Sequence, residues 1–583
     1  MFSHSVSSME EMRATDVSPA VEIRELGFRY KGTPERAVNN LNMSIAPGEF
    51  VVIMGASGAG KSTLCQALNG LIPHLTRGEM EGEVLVCGIP TRSTTVGEMA
   101  RHVGMVFQDF EAQLFSTNVR LEVAFAPENF GLPREEIGRR VEDALRRVHL
   151  EGFDNRQPAT LSGGQKQRLA IASVLAAGPT VLCLDEPTTD LDPVGKQEVF
   201  MIANALRSQN KTLVVVEHET PEALSATRVV LMEQGMILRD GPAEDVLREV
   251  ELFHEIRAMP LQIPDLFCRL GYETSARPLT VEKALAEFGE NGLKVDAARH
   301  AGCVERDARR LENYGEPLIE ISNLGHRYDN GFLAVDDVSF TVRRGEFVAV
   351  LGQNGSGKTT MIKHLNGLLR ATSGRVGIVG RDAATSSVLE LGEHIGYVFQ
   401  NPDHQIFSDT VFDEVAFGLR KRSFEDEKIN QRVTEALAAV GLAGFEQEDP
   451  FSLTKGQRQR VAVASVLSMR PDVLILDEPT TGLDYLEQRG MMELVRGLNE
   501  QGSTIIIVTH AMWVVCEFAH RVLVMKGGKL VEDGPTRQVF AEEHVLQDMF
   551  LLPPPIVSLG NRLGYPVLTV AEMLSLTSGG AGS

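Results

Sequence analysis

The chain has 583 residues, a formal net charge of −22 at neutral pH and an isoelectric point near 5.2. This length exceeds what one hydrophobic core usually organises, so about two to four domains are expected. The acidic balance argues against a nucleic-acid partner, because binding to phosphate backbones requires a basic surface.

The cysteines and the chain start indicate the cellular setting. The six cysteines are scattered without metal-site or disulfide spacing, which is typical of reduced thiols in a cytoplasmic protein. Residues 1–20 lack the cationic start and apolar core of a signal peptide and are predicted to be a disordered lead-in. No apolar run reaches the length of about eighteen residues that a membrane span needs, so we expect a soluble chain without a transmembrane segment.

Residues 21–255 and 317–550 carry the same series of motifs, and each is predicted to form one domain. The spacing between equivalent residues is nearly constant: Lys358 minus Lys61 gives 297, whereas Gln400 minus Gln108, Asp477 minus Asp185 and His510 minus His218 each give 292. The chain is therefore a tandem duplication.

Three apolar runs in each copy end in a chemical motif. They cover 49–55, 181–187 and 212–218 in the first copy, and 346–352, 473–479 and 504–510 in the second. Such runs fit strands buried on both faces, so each copy is predicted to be an α/β domain with a mostly parallel, helix-covered sheet. Glycine-punctuated runs at 228–241 and 521–534 predict an antiparallel hairpin in each copy.

The first run of each copy leads into a glycine-rich loop of the form G-x-x-x-x-G-K-[ST], which predicts ATP binding. Lys61 and Lys358 are expected to reach the β- and γ-phosphates, while Ser62 and Thr359 offer a hydroxyl oxygen to Mg²⁺. The predicted contacts are Gly55, Ser57, Gly58, Gly60, Lys61, Ser62 and Thr63 in the first copy, and Gly352, Asn354, Gly355, Gly357, Lys358, Thr359 and Thr360 in the second.

The other two runs supply the remaining groups of a hydrolytic site. Asp185 and Asp477 follow the apolar residues of the second run in each copy and are predicted to meet Mg²⁺. The next residues, Glu186 and Glu478, can polarise a water for attack on the γ-phosphate. His218 and His510 end the third run and are predicted to contact that phosphate in the transition state.

The order of these motifs, the words VFQ at 106–108 and 398–400, and LSGGQKQR at 161–168 resemble ATP-binding-cassette ATPases. The resemblance implies two cassettes of the P-loop NTPase type, each with an antiparallel β part and a helical subdomain. Cassettes of this family pair head to tail; pairing within the chain is favoured, and pairing with a second chain is the alternative. The resemblance further implies that Tyr30 and Tyr328 stack on adenine and that Gln108 and Gln400 sense Mg²⁺ and a membrane partner. The resemblance also implies ATP contacts from the signature residues, which are Ser162, Gly163 and Gly164 in the first copy and Thr454, Lys455 and Gly456 in the second.

The second signature departs from the family pattern. It reads LTKGQRQR at 453–460, with Lys455 where the first copy has Gly163. The Cβ of Lys455 would stand where backbone approaches phosphate, although its ammonium group could itself meet that phosphate. The resemblance pairs this signature with the glycine loop of the first copy. We therefore expect modest asymmetry, with the ATP site of Glu478 dominant.

The words that follow each glutamine narrow the resemblance. DFEAQLF (109–115) and NPDHQIF (401–407), followed by VAF in each copy, resemble the ATPase subunits of energy-coupling factor transporters, here with both ATPases fused. That family imports vitamins, their precursors or transition-metal ions. The resemblance implies a place on the cytoplasmic face of the membrane, with a transmembrane coupling protein and a small substrate-binding membrane protein as partners. Asp109, Glu111 and Asp403 are candidate acceptors for basic residues of the coupling protein.

A quieter repeat follows each copy. RLGYETSARPLTVEKAL (269–285) resembles RLGYPVLTVAEML (562–574), which predicts small C-terminal elements over 256–290 and 551–583. A small helical subdomain that pairs the copies is favoured over an ordinary spacer. The linker is then confined to 291–316.

Other twin-cassette proteins remain as alternatives. A soluble ATPase that acts on ribosomes usually carries a long, highly charged helical linker, whereas 260–316 holds ten acids and eight bases. A chaperone or DNA-repair cassette would need long coiled coils, and no sustained heptads occur. A twin-cassette sugar importer usually has one decayed glycine loop, and both loops here are intact. The imported substrate cannot be inferred, because another polypeptide selects it.

Overall fold

The computed structural model describes residues 18–189, 191–218, 220–290 and 292–578, which form two compact units. The first unit comprises 1–188 and 197–246, and the second comprises 189–196 and 247–583. Most of the predicted lead-in, 1–17, lies outside the described residues. Ala20 is buried, and its N–H donates to the carbonyl of Ile45 at 2.8 Å.

Ten strands and ten helices begin before residue 247 in the described part of the chain. The strands are β1 (Val21–Tyr30), β2 (Val38–Ile45), β3 (Phe50–Met54), β4 (Gly78–Val86), β5 (Ile89–Pro90), β6 (Val103–Val106), β7 (Val181–Asp185), β8 (Thr212–Val216), β9 (Arg228–Glu233) and β10 (Met236–Pro242). The helices are α1 (Lys61–Leu68), α2 (Leu71–His74), α3 (Val96–Met99), α4 (Phe110–Gln113), α5 (Val119–Asn129), α6 (Arg134–Arg147), α7 (Gly163–Ala177), α8 (Pro193–Ser208), α9 (Thr220–Ala223) and α10 (Ala243–Val246).

The first unit contains two sheets. The order β10-β9-β3-β8-β7-β6 forms a six-stranded sheet that is parallel except for the β9–β10 hairpin. The order β2-β1-β4-β5 forms an antiparallel sheet. Every residue of β3, β7 and β8 is buried, which explains why these strands read as unbroken apolar runs. The predicted parallel core and hairpin are confirmed.

The rest of the described chain holds twelve strands and fifteen helices. The strands are β11 (Lys294–Val295), β12 (Pro317–Arg327), β13 (Leu333–Arg343), β14 (Phe347–Leu351), β15 (Ser373–Ile378), β16 (Arg381–Asp382), β17 (Ile395–Val398), β18 (Val473–Asp477), β19 (Thr504–Val508), β20 (Arg521–Lys526), β21 (Lys529–Pro535) and β22 (Thr577–Ser578). The helices are α11 (Val250–Glu255), α12 (Gln262–Arg269), α13 (Val281–Glu290), α14 (Ala297–Glu312), α15 (Lys358–Leu365), α16 (Val388–Leu391), α17 (Val411–Lys421), α18 (Asp426–Ala439), α19 (Lys455–Leu467), α20 (Tyr485–Glu500), α21 (Met512–Phe518), α22 (Thr536–Ala541), α23 (Glu543–Asp548), α24 (Pro555–Arg562) and α25 (Val570–Leu576). Short 3₁₀ segments across the whole described chain lie at Thr91–Ser93, Pro158–Thr160, Thr274–Ala276, Pro402–His404 and Pro450–Ser452.

The second unit repeats the sheet plan of the first. The order β17-β18-β19-β14-β20-β21 forms its six-stranded sheet, and β13-β12-β15-β16 forms its antiparallel sheet. The strands equivalent to β3, β7 and β8 are β14, β18 and β19, and all their residues are buried. The predicted α/β fold in tandem is therefore confirmed.

The two small C-terminal elements are helical and pack on each other within the second unit. Helices α12 and α13 follow the first copy, α24 and α25 follow the second, and α12 contacts α25 while α13 contacts α24. The two-residue strands β11 and β22 pair antiparallel beside them. Buried side chains of both elements, including Phe267 and Ile556, join one hydrophobic core with the second cassette. The two halves of the quieter repeat thus bury each other's apolar faces.

The segment predicted as a linker, 291–316, contains ordered structure. It holds β11 and the sixteen-residue helix α14, whose first turn is capped by Asp296 through the N–H groups of Ala298 and Arg299. Contacts assign residues from Leu247 onward to the second unit, so the stretch 247–255, predicted to close the first domain, lies there as well.

Candidate active site

The first glycine loop wraps around the ammonium group of a buried lysine. Strand β3 ends at Met54, helix α1 begins at Lys61, and the loop lies between them. Lys61 Nζ donates to the carbonyls of Gly55 and Ala56, each at 2.9 Å. Gly60 has φ +96°, and a Cβ there would collide with the carbonyl oxygen of Ala37. Only glycine permits this tight turn ahead of the helix, and the lysine is held in the loop that the motif predicts.

The second loop repeats this arrangement between β14 and α15. Lys358 Nζ donates to the carbonyl of Gly352 at 2.5 Å and to that of Gln353 at 2.9 Å. Gly357 has φ +102°, and a Cβ there would collide with the carbonyl oxygen of Ala334. Burial lowers the pKa of Lys358, and the carboxylate of Glu478 opposes that shift. A buried cation against carbonyls at a helix N-terminus suits an anionic ligand such as phosphate.

The strand-end aspartates lie beside the glycine loops, but their hydrogen-bond partners differ. Ser62 Oγ donates to Asp185 Oδ1 at 3.1 Å, so a hydroxyl and a carboxylate oxygen are adjacent in the first copy. In the second copy Asp477 Oδ2 accepts instead from the hydroxyl of Tyr397 at 2.6 Å. Burial raises the pKa of both aspartates. Tyr397 was not predicted as a site residue. The 292-residue offset makes it equivalent to Met105 of the first copy, so the two copies differ at this position.

The glutamates that follow these aspartates adopt a strained backbone conformation. Glu186 has φ +50° and Glu478 has φ +47°, in the left-handed region that residues other than glycine seldom occupy. Such outliers persist where surrounding structure enforces them, and they cluster at active sites. The same conformation recurs at other equivalent pairs, such as Cys87 with Val379, so it fixes the two glutamates in place without by itself marking a catalytic role.

In the first copy the predicted catalytic groups form a connected network. The distance between His218 Nε2 and Glu186 Oε1 is 2.5 Å, and Gln108 Nε2 donates to Glu186 Oε2 at 2.7 Å. The structure therefore brings together the histidine, the glutamate and the glutamine, which are far apart in sequence.

In the second copy the same groups are close but less connected. His510 Nε2 lies 3.2 Å from Glu478 Oε1, and the His510 backbone N–H donates to Glu478 Oε2 at 3.3 Å. Burial raises the pKa of Glu478 to about 8 and lowers that of His510 to about 3. Within the described residues, His510 Nδ1 is buried without a hydrogen-bond partner, which leaves it available to ligand or water, and Glu478 Oε1 has only its close contact with His510 Nε2. Gln400 is exposed and makes no bond to Glu478 among the described residues.

Each tyrosine predicted to stack on adenine is hydrogen-bonded to a threonine next to its glycine loop. Tyr30 and Thr63 share a hydrogen bond of 2.9 Å between their hydroxyls, and Tyr328 and Thr360 share one of 3.1 Å. Tyr30 also packs edge-on against Phe28, with ring centroids 5.0 Å apart. The threonine directly after each motif thus holds an aromatic ring beside the predicted phosphate site. Stacking itself stays a prediction.

Both signatures begin a helix through the same cap. Ser162 accepts from the N–H of Gln165 at the start of α7, and Thr454 accepts from the N–H of Gln457 at the start of α19. In each case the glutamine side chain completes a capping box. The change from serine to threonine therefore preserves the local structure of the signature.

The side chain of Lys455 lies against its own cassette. Its Nζ occupies the space over Gly482, where a Cβ would collide with it. The carboxylate of Glu487 lies close to Gly456, and the positive charge of Lys455 opposes the rise that burial causes in the pKa of Glu487. In the first copy a Cβ added at Gly163 would meet no atom within 4 Å in the described residues, so this helix position tolerates a side chain.

Similarity to known proteins agrees with this geometry. A family model described as "ABC transporter" matches residues 38–189 and 335–481. A candidate ABC transporter ATP-binding protein of Caldanaerobacter subterraneus is 54% identical, with 95% of this chain and 98% of that protein aligned. A candidate ABC transporter ATP-binding protein of Methanosarcina acetivorans is 40% identical, with 96% and 94% aligned.

The chain belongs to the ABC transporter ATPase family. A solved structure of cbiO1 from Clostridium perfringens, described as part of the ABC transporter complex cbiONQ, is 37% identical over 41% of this chain and 97% of that one, with a TM-score of 0.38. The family, together with the two glycine loops and carboxylate pairs, makes this protein an ATPase.

The region around helix α4 was predicted to contribute acidic acceptors for a membrane partner. Asp109 caps α4 by accepting from the N–H of Ala112. Glu111 pairs with Lys166 at 2.8 Å, and the equivalent Asp403 pairs with Arg458 at 2.7 Å. The acids are thus already engaged inside their own cassettes. No described helix combines the length and the apolar character needed to cross a membrane.

The same region exposes aromatic rings that sequence reasoning did not single out. Phe115 is 63% exposed and packs edge-on against Phe125, with ring centroids 4.7 Å apart. Phe407 and Phe417 form the equivalent pair at 4.8 Å, and Phe407 is 60% exposed. Phe407 minus Phe115 and Phe417 minus Phe125 both give 292, so a comparison of the two copies in sequence would have identified both aromatic pairs.

Proposed function

We propose that this ABC ATPase is the motor subunit of a membrane importer of the energy-coupling factor type, which takes up a vitamin, a vitamin precursor or a transition-metal ion. The observation that carries the proposal is the exposed aromatic pair that recurs in both cassettes, Phe115 with Phe125 and Phe407 with Phe417. Exposed apolar side chains that cluster together mark interaction sites. Two equivalent sites suit a membrane partner that offers a short amphipathic helix to each cassette.

The acidic candidates have a different role in this proposal. The ion pairs Glu111–Lys166 and Asp403–Arg458 occupy equivalent positions beside the signature helices. They brace the docking region rather than act as free acceptors, while Asp109 orders α4. The aromatic pairs then supply most of the binding energy, because aromatic anchors dominate protein interfaces.

Each glycine loop is proposed to bind the phosphates of one ATP. Lys61 and Lys358 offer buried ammonium groups to the β- and γ-phosphates. His218 and His510 approach the γ-phosphate. Glu186 and Glu478 orient and polarise the attacking water, which fits their enforced backbone and their contacts with these histidines.

The residues present fit Mg²⁺. The candidate donors are all oxygens: the hydroxyls of Ser62 and Thr359, the carboxylates of Asp185 and Asp477, and the amides of Gln108 and Gln400. Ser62 Oγ and Asp185 Oδ1 are already neighbours at 3.1 Å. When bound with ATP, Mg²⁺ neutralises charge on the β- and γ-phosphates. One carboxylate and one hydroxyl per site suit an ion that keeps waters and takes other oxygens from the nucleotide.

Co-expression with the membrane proteins of its host, followed by purification through a tag on this chain, tests the proposal. We expect wild type to carry an integral membrane coupling protein together with a small substrate-binding membrane protein. The double change Phe115→Ser and Phe407→Ser should weaken that complex, with a loss of about 2 kcal/mol for each anchor, while ATP binding by the chain persists. The control is Phe550→Ser, which removes an aromatic ring that is 53% exposed elsewhere.

The outcomes separate the proposal from its competitor. Recovery of wild type with ribosomes, and without integral membrane proteins, would favour the translation-factor alternative. Equal yields of complex from the double variant and from Phe550→Ser would remove the aromatic pairs as the docking surface.

A further inference from the structure

One residue beside the second strand-end aspartate has no counterpart of the same chemistry in the first cassette. Tyr397 lies on β17, and Met105 occupies the equivalent place on β6. The Tyr397 hydroxyl donates to Asp477 Oδ2 at 2.6 Å. A thioether has no proton to donate, so Asp185 cannot receive this bond in the first cassette.

The sheet register explains why this tyrosine reaches the aspartate. In the parallel pair β17–β18, Tyr397 lies opposite Ile475, and Asp477 follows two residues later on the same face of the sheet. A long side chain spans this diagonal. In the pair β6–β7, Met105 lies opposite Cys183 in the same way, but its sulfur accepts from Asn69 Nδ2 at 2.7 Å.

The bond matters for the aspartate because Asp477 is buried and the half-buried Tyr397 packs against a neighbouring ring. Asp477 is 8% exposed, and the Tyr397 ring is fixed edge-on against Phe399, with centroids 5.0 Å apart. The phenol therefore engages one carboxylate oxygen and leaves the other for a ligand. In the first cassette the hydroxyl of Ser62 serves Asp185, whereas Thr359 makes no bond to Asp477 within the described residues.

We propose that Tyr397 is a positioning residue for the metal-binding carboxylate of the second cassette, and that the two ATP sites hold their metal ion through differently supported aspartates. The inference rests on the proposed role of Asp477 toward Mg²⁺. Groups that hydrogen-bond a ligating carboxylate orient it, and their removal typically costs about 10- to 100-fold in metal affinity.

The test measures how much a divalent ion strengthens nucleotide binding, which does not depend on turnover. A fluorescent, non-hydrolysable ATP analogue is titrated into the full chain with Mn²⁺ and again with EDTA. The Lys61→Ala background confines tight binding to the glycine loop of Lys358. We expect Tyr397→Phe to reduce the Mn²⁺-dependent gain in affinity about ten-fold and to leave the affinity in EDTA unchanged. Tyr397→Met, which installs the side chain of the first cassette, should behave alike.

The matched control is Met105→Leu in the Lys358→Ala background. This change removes no hydroxyl, so the Mn²⁺-dependent gain in nucleotide affinity should equal that of the Lys358→Ala parent. An equal gain for Tyr397→Phe and its parent would overturn the inference while leaving the metal site intact. A loss that appears equally in EDTA would also overturn it, because it would indicate a structural effect on the pocket. If the parent shows no Mn²⁺-dependent gain, the proposed metal site fails and the inference with it.

Discussion

The ammonium group of Lys455 lies over the Cα of Gly482, in the loop that follows Asp477 and Glu478 in the same cassette. The first cassette has glycine at the position of Lys455 and aspartate, Asp190, at that of Gly482. In each cassette one of these two positions is glycine and the other carries a side chain, and the two cassettes have the opposite arrangement. This explains how a lysine enters the second signature without disturbing the helix that Thr454 caps.

Gly482→Ala tests this pairing. We expect a loss of stability of the second unit of about 1 kcal/mol, because Gly482 has φ +69° and the end of the flexible Lys455 side chain must also move away from the new Cβ. Chemical denaturation measures the change. Gly380→Ala is the control: it has φ +74° and open space around its Cβ within the described residues, so it reports the backbone cost alone.

Any loss of stability beyond this backbone cost should come from the contact with Lys455. Gly482→Ala should lose more stability than Gly380→Ala because of the contact with Lys455. Adding Lys455→Gly to Gly482→Ala removes that contact and should abolish this extra loss. A double variant no more stable than Gly482→Ala would contradict the proposed contact.

The two predicted general bases should contribute unequally to turnover. The family resemblance predicts that the intact signature, with Gly163, serves the ATP bound by Lys358, and on that prediction we expect Glu478→Gln to remove more of the ATPase rate than Glu186→Gln. Loss of one charge-assisted hydrogen bond at the weaker site corresponds to roughly 1.5–3 kcal/mol, or about ten- to hundred-fold in rate. Steady-state ATPase rates of the full complex measure both variants. Equal losses would show that Lys455 leaves its site unimpaired.

His520 is expected to make the second unit sensitive to acid. The Tyr314 hydroxyl lies 2.8 Å from His520 Nδ1, and burial, followed by the charge of Arg310, lowers the pKa of His520 to about 4. The unfolded chain then binds more protons between about pH 6.5 and 4, so stability should fall as the pH falls through this window. The maximum effect is on the order of 3 kcal/mol. Thermal unfolding at pH 7 and pH 5 should show a smaller drop for His520→Gln than for wild type.

The paired C-terminal elements should contribute substantially to stability. Phe267 is fully buried and packs edge-on against Tyr272 and Phe288, with centroids 4.9 and 6.3 Å away. Phe267→Ala should cost about 3–5 kcal/mol in the unfolding free energy of the second unit. Phe550→Ala, at a side chain that is 53% exposed, should cost less than about 1 kcal/mol. Similar values for both would indicate that the elements dock only loosely.

Much of the fold and of the ATP sites could be read from sequence because the relevant information is local. The buried runs that became β3, β7 and β8 are continuous in sequence, and each ends in its functional group. Gly60 and Gly357 adopt a backbone conformation that other residues seldom adopt, so their glycines identify the loops from the sequence alone. The duplication supplied an internal control, since each motif occurs twice.

Only the tertiary structure revealed the relationships that make the copies differ. Tyr397 and Asp477 are eighty residues apart, and their bond depends on the parallel register of two strands. Lys455 meets Gly482 only because a helix start and a strand-end loop converge. The sequence by itself determined that two ATP-binding cassettes exist, since apolar runs, glycine loops and paired acids act through short-range geometry. The partner that each of these side chains finds was decided by packing, because hydrogen bonds and side-chain clashes depend on distances that linear spacing does not encode.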